Sequence, residues 1–97
     1  ENAMAFRDIC LNPETMEVTK GGEKLGLTKT EYELLKYFLS NQRRILSREF
    51  LLDRIWGMDY EGDSRTVDTA IRRLRVKIGE DLIQTRIGLG YVMGEGV

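Results

Sequence analysis

Apolar positions along this chain change period twice, from about two to between three and four, and back to two. Met16-Glu17-Val18-Thr19 alternates apolar and polar, as a half-buried strand does. Upstream, Phe6-Arg7-Asp8-Ile9-Cys10-Leu11 reads as one irregular strand, and Asn12-Pro13-Glu14-Thr15 as the turn that ends it. Gly21-Gly22 marks a second turn, and Lys24-Leu25-Gly26-Leu27 a further short strand. The first 27 residues therefore predict a small antiparallel sheet.

Helical spacing begins at Thr28. Thr28 and Glu31 stand three apart, the spacing of a capping box, and Leu27 and Tyr32 are placed for a hydrophobic staple. Leu34, Leu35, Phe38 and Leu39 carry the apolar face of a helix that should end near Ser40-Asn41. Ser47 caps a second, shorter helix with Phe50, Leu51, Ile55 and Trp56, stopping at Gly57. A polar loop, Met58 to Asp63, leads to a third helix capped by Asp63 or Ser64 and running to Ile78, with Gly79 as its terminator. Leu82 to Ile87, a Gly88-Leu89-Gly90 turn, and Tyr91-Val92-Met93 then predict a β-hairpin. The order is sheet, three helices, hairpin, an α+β domain.

The third helix has two unlike sides. Val67, Ala70, Ile71, Leu74 and Ile78 make one apolar stripe at about 100° per residue. Arg65, Thr69, Arg72, Arg73 and Val76 occupy the opposite side, flanked by Thr66, Arg75 and Lys77. A merely solvated face usually mixes glutamate with lysine at i,i+4. Here three arginines crowd one stretch, and their repulsion makes sense where phosphates offset it. Arginine forks onto guanine, and a small threonine lets a helix sit close to thymine methyls. A second helix and a turn precede this one, as helix-turn-helix geometry requires.

Composition narrows the options. The chain has 97 residues, one domain's length, and is 41% apolar, an ordinary globular fraction. No apolar run could span a bilayer, and no basic-then-apolar secretory start is visible. Asn2-Ala3-Met4 reads as a cloning scar, so residues 1–5 are expected to be a partial scar or disordered start and 6–97 the domain. Cys10 is the only cysteine, expected to be a small buried strand residue, and a reducing cytoplasm suits a chain without disulfides. Histidine is absent, which removes the commonest general base and metal ligand. The net charge of −1 says little, but residues 65–78 carry Arg65, Arg72, Arg73, Arg75 and Lys77 against Asp68 alone. Nothing here supports an enzyme, a metal or a cofactor: there is no glycine-rich phosphate loop and no catalytic motif.

Six segments in order carry a family resemblance. They are Leu27 to Leu35, Ser47 to Leu52, Ile55-Trp56-Gly57, Arg65-Thr66-Val67-Asp68, Ile71-Arg72-Arg73-Leu74-Arg75 and Gly88-Leu89-Gly90-Tyr91. Together they resemble the effector domain of OmpR/PhoB-family response regulators over about residues 6–94. The resemblance implies a winged helix-turn-helix: an N-terminal four-stranded sheet, three helices and a hairpin wing. It implies that the third helix enters the major groove of double-stranded DNA. Arg65, Thr69, Arg72, Arg73 and Val76 would face DNA, with Arg73 and Thr69 on bases. Arg48 and Trp56 match positions that hold phosphates, and Thr85 a wing residue on the backbone. Thr66, Lys77 and Arg86 complete the expected DNA-binding set. The 57–63 loop matches a segment that meets RNA polymerase in some members, though it also reads as a plain connector. Asp68 reads as a structural acid in a first helical turn, Trp56 as mostly core, and Tyr91 as a packing residue.

One position departs from the family. Its wings commonly carry arginine just before the first glycine of the turn, where it reaches the minor groove. Here Ile87 stands there and the arginine is Arg86, one step earlier. A one-residue step reverses the face of a strand, so either Arg86 points away from DNA or a bulge re-aims it. The family's receiver domain is not in this chain and would lie before residue 1. With no heptad seam or large apolar patch, the domain is expected to be monomeric alone and to pair on DNA. The competing reading is a winged-helix protein-interaction module that does not bind DNA.

Overall fold

The computed structural model describes residues 3–94. Strands β1 (Met4–Phe6), β2 (Ile9–Asn12), β3 (Glu17–Lys20) and β4 (Glu23–Lys24) form one antiparallel sheet in chain order. The single strand expected over Phe6–Leu11 is instead two, with Phe6 opposite Ile9 across a tight turn. Arg7 takes a positive φ of 55° there. No glycine, asparagine or proline marks that turn, so its residues conceal it. Met4 and Ala5, expected in a disordered start, pair with Leu11 and Cys10; residues 1 and 2 lie outside the described residues. Ile9 and Leu11 face the core, so the period of two puts Cys10 on the open face. The expectation of a buried cysteine was wrong for that reason. β4 is also shorter than expected, ending at Lys24.

Helix α1 (Lys29–Ser40) starts with the expected capping box. Thr28 Oγ1 accepts from Glu31 N–H at 3.2 Å, and Glu31 Oε1 accepts from Thr28 N–H at 2.9 Å. Ser47 caps α2 (Arg48–Leu51), accepting from Phe50 N–H at 3.0 Å. The turn that follows, Leu52–Trp56, widens to π-helical geometry, closed by Gly57 N–H on Leu52 C=O at 3.1 Å. Helix α3 (Arg65–Ile78) is entered through Asp63, whose Oδ1 accepts from Arg65 N–H at 3.0 Å. Ser64 makes no side-chain cap, which decides between the two candidates.

Val67, Ile71, Leu74 and Ile78 of α3 are fully buried, in one cluster with Leu34, Leu35 and Phe38 of α1 and Ile9, Leu11 and Val18 of the sheet. Burying each such side chain stabilises by roughly 1.5–3 kcal/mol. Their common face fixes the opposite face of α3 toward solvent. Strands β5 (Ile83–Arg86) and β6 (Gly90–Met93) form the hairpin. It is tied inward by the α1–α2 connection: Leu46 and Tyr91 exchange both backbone hydrogen bonds, at 2.8 and 3.0 Å. Gly90 permits that approach. A Cβ there would lie 2.2 Å from the Leu46 carbonyl oxygen, and its φ of 142° already disfavours a side chain.

Candidate nucleic-acid interface

Opposite the buried stripe of α3 lie Arg65, Arg72, Arg73 and Val76, all exposed, and Thr69, which is half-buried, as the spacing predicted. Arg72 and Arg73 are exposed and have no hydrogen-bond or ion-pair partner among the described residues. Arg65 folds back on Asp63, its Nη2 3.1 Å from Oδ2, with both side chains well exposed. Side-chain and backbone hydrogen bonds from Arg65 hold the Asp63 carboxyl below its ordinary range. Thr66 meets the Tyr60 hydroxyl at 3.4 Å. Thr66, Thr69, Arg73 and Trp56 also line an open groove that runs to the start of α1 at Thr28 and Thr30. Trp56 is half-buried, its ring 6.3 Å from that of Tyr60.

The other flank of α3 is fastened to its neighbours. Asp68 takes a bidentate ion pair from Arg48 of α2, with Nε at 3.1 Å and Nη2 at 2.8 Å. The same carboxylate accepts from the Tyr91 hydroxyl of β6 at 2.5 Å. One turn pair further on, Arg75 donates to the Ile83 carbonyl at 3.0 Å and to Thr85 Oγ1 at 2.9 Å, and stacks 5.4 Å above the Tyr91 ring. Burial, then the hydrogen bond to Asp68, push the Tyr91 phenol up to about 12, so it stays a donor throughout the neutral range. Asp68 thus joins three elements rather than merely facing a helix dipole. Tyr91 is buried, as a packing residue should be.

Lys77 stands on the opposite flank, toward α1. Its ammonium lies 2.7 Å from Glu31 Oε1 and 3.1 Å from the Gly26 carbonyl. Glu31 is only 5% exposed. Burial alone would raise its carboxyl, but Lys77 and the Thr28 hydrogen bonds outweigh that and hold it below the ordinary value. On the hairpin, Arg86 donates to Gln84 Oε1 at 2.9 Å and lines a cleft with Arg48. Ile87 is 94% exposed at the tip of the turn, beside Leu89.

The sequence thus gave the exposed arginine line but not what fastens it. Asp68 and Arg75 are seven residues apart and share a flank of the helix, a signal that was readable. Their partners Arg48, Thr85 and Tyr91 come from elements whose approach no local pattern specifies. Arg48, Thr85 and Lys77, expected to face DNA, all hold protein partners, although Arg48 keeps unused N–H donors at its outer edge.

An exposed arginine-bearing helix, preceded by a helix and a turn and flanked by an anchored hairpin, defines the class: a winged helix-turn-helix domain. The family model described as "Transcriptional regulatory protein, C terminal" matches residues 22–93. The chain is 28% identical to the Klebsiella pneumoniae RstA DNA-binding domain, solved in complex with the RstA box, over 97% of this chain and 98% of that one, with a TM-score of 0.88. It is 37% identical to the DNA-binding domain of Bacillus subtilis CssR, over 89% and 99%, with a TM-score of 0.81. It also matches DrrB, a Thermotoga maritima OmpR/PhoB homologue, at 30% identity and a TM-score of 0.87, over 96% of this chain but 44% of that one. The chain belongs to the OmpR/PhoB family, as a C-terminal winged-helix effector domain.

Proposed function

We propose that this domain binds double-stranded DNA in a sequence-specific manner, as the transcription-regulating output domain of a response regulator. The observation that carries this is the exposed pair Arg72 and Arg73, without a partner among the described residues, on the face of α3 opposite its core. The RstA domain in complex with its box supports the same docking here. Arg73 and Thr69 touch bases, while Arg65 and Arg72 engage base edges or phosphates beside them. Arg48, held by Asp68, offers its outer N–H groups to a phosphate, and the Trp56 indole offers its own. Thr66 and Val76 complete the protein face of the groove. Thr85 and Arg86 lie on the wing, where the backbone passes. Lys77 serves α1 instead.

Three further roles belong to the whole protein. A receiver domain ahead of this one would fit that role, and the chain spans 44% of the response regulator DrrB. The 57–63 loop, with Met58 and Tyr60 exposed, is a surface for RNA polymerase. Two copies pair on adjacent half-sites about one helical turn apart. A cytoplasmic location goes with this role.

The test is a fluorescence titration with duplex DNA at low and physiological salt. Log affinity should fall linearly with log salt, with a slope near −0.9 per phosphate neutralised. A domain that binds no duplex, or binds with no response to salt, is instead a protein-interaction module.

A further inference from the structure

The middle of the DNA-facing side of α3 is not basic. Val76 lies almost directly opposite the buried line of Val67, Ile71, Leu74 and Ile78, at about 100° per residue. It is 73% exposed, with Arg72 and Arg73 to either side of it on the helix surface. Valine is a poorer helix former than the arginine or lysine that would suit an exposed site beside a polyanion. A protein partner with an apolar pocket would also have to accept two unpaired guanidiniums at its rim, which favours a polyanionic occupant. In the major groove the apolar feature of the base edges is the 5-methyl group of a pyrimidine.

We propose that Val76 reads a pyrimidine 5-methyl group in the major groove, and so sets sequence preference at one position of the site. This rests on the DNA-binding reading. Val76 is seven residues beyond Thr69, about 10.5 Å along the helix axis at about 1.5 Å per residue. Along the tilted major groove, helix positions six or seven apart meet bases about two steps apart. The methyl should therefore lie about two base pairs from the bases that Thr69 meets. The chemistry is shared by thymine and 5-methylcytosine, and Val76 should respond to both.

The experiment starts from a random-sequence duplex library selected with the whole chain. In the enriched duplex each thymine is replaced in turn by deoxyuridine, which removes only the methyl. At one position this should weaken binding about threefold to fivefold, the weight of one buried methyl. Replacing that T·A pair by 5-methylcytosine·guanine should bind several-fold better than cytosine·guanine. Val76→Ala should abolish both differences and leave the salt slope unchanged, since no phosphate contact is lost. An unmodified protein indifferent to every deoxyuridine overturns the inference while leaving DNA binding intact. So does a Val76→Ala variant that keeps the full deoxyuridine penalty. Sensitivity to deoxyuridine without any response to 5-methylcytosine would overturn the claim that Val76 reads the methyl of both pyrimidines. A library that yields no enriched duplex removes the DNA-binding reading, and this inference with it.

Discussion

Glu31 holds the start of α1 and the end of α3 together, because its one carboxylate serves both Thr28 and Lys77. Its pKa is held below the ordinary glutamate value. A depressed carboxylate stabilises the fold above its unfolded value, and that contribution is lost as pH falls through the lower folded value. Glu31→Gln keeps the cap but removes the charge. It should cost about 1–2 kcal/mol at neutral pH, held down by the part-solvated lysine. The gap between the two proteins should close in acid, measured as thermal midpoints from neutral pH downward; a constant gap would mean that the charge is irrelevant. Arg73 differs in having no partner among the described residues. Arg73→Ala should leave stability unchanged and weaken specific DNA binding by about 1–3 kcal/mol, relaxing preference at one base. If all sequences weaken alike in a competition assay, Arg73 contacts phosphate instead. Lys77→Met should lower the midpoint yet leave the salt slope unaltered, which separates the two basic residues.

At the level of elements, α3 and the wing behave as one piece because Arg75 and Asp68 bridge them. Arg75→Ala removes two hydrogen bonds and the stacking on Tyr91. The amides of Ile83 to Arg86 should then exchange with solvent faster than those of α1, by hydrogen-exchange measurement. Equal protection in both proteins would show the hairpin to be self-supporting. Helices were readable here because caps and periodicity are local: Thr28, Ser47 and Gly79 marked their ends from neighbours within four residues. The turn at Arg7-Asp8 was not, because a left-handed arginine looks like any strand residue until the register is known. The wing shows both cases. Its turn glycines were legible, and Gly88, with a φ of 79°, sits where the Leu89 N–H to Arg86 carbonyl turn needs it. The fate of Arg86 depended on Gln84 lying two residues away on the same face, and the question of a bulge was settled only by the observed pairing of Arg86 with Gly90.

For the whole molecule, the basic character of one helix sits in a chain with a net charge of −1. Attraction to DNA is thus confined to one face, and the acidic remainder discourages binding in other orientations. The isolated domain should sediment as a monomer, since the described apolar residues left exposed are scattered among Met16, Ile45, the 57–63 loop, Val76 and the wing tip. A stable dimer without DNA would contradict this. The bond between Leu46 and Tyr91 carries a consequence for synthesis. It closes a loop of more than forty residues, and the strand that closes it follows every helix in the chain. Until Tyr91 arrives, Asp68 lacks its phenol, Arg75 lacks its ring, and the Leu46 segment has no strand to pair with. Without β6 the arginine face of α3 therefore lacks the contacts that fasten its flank.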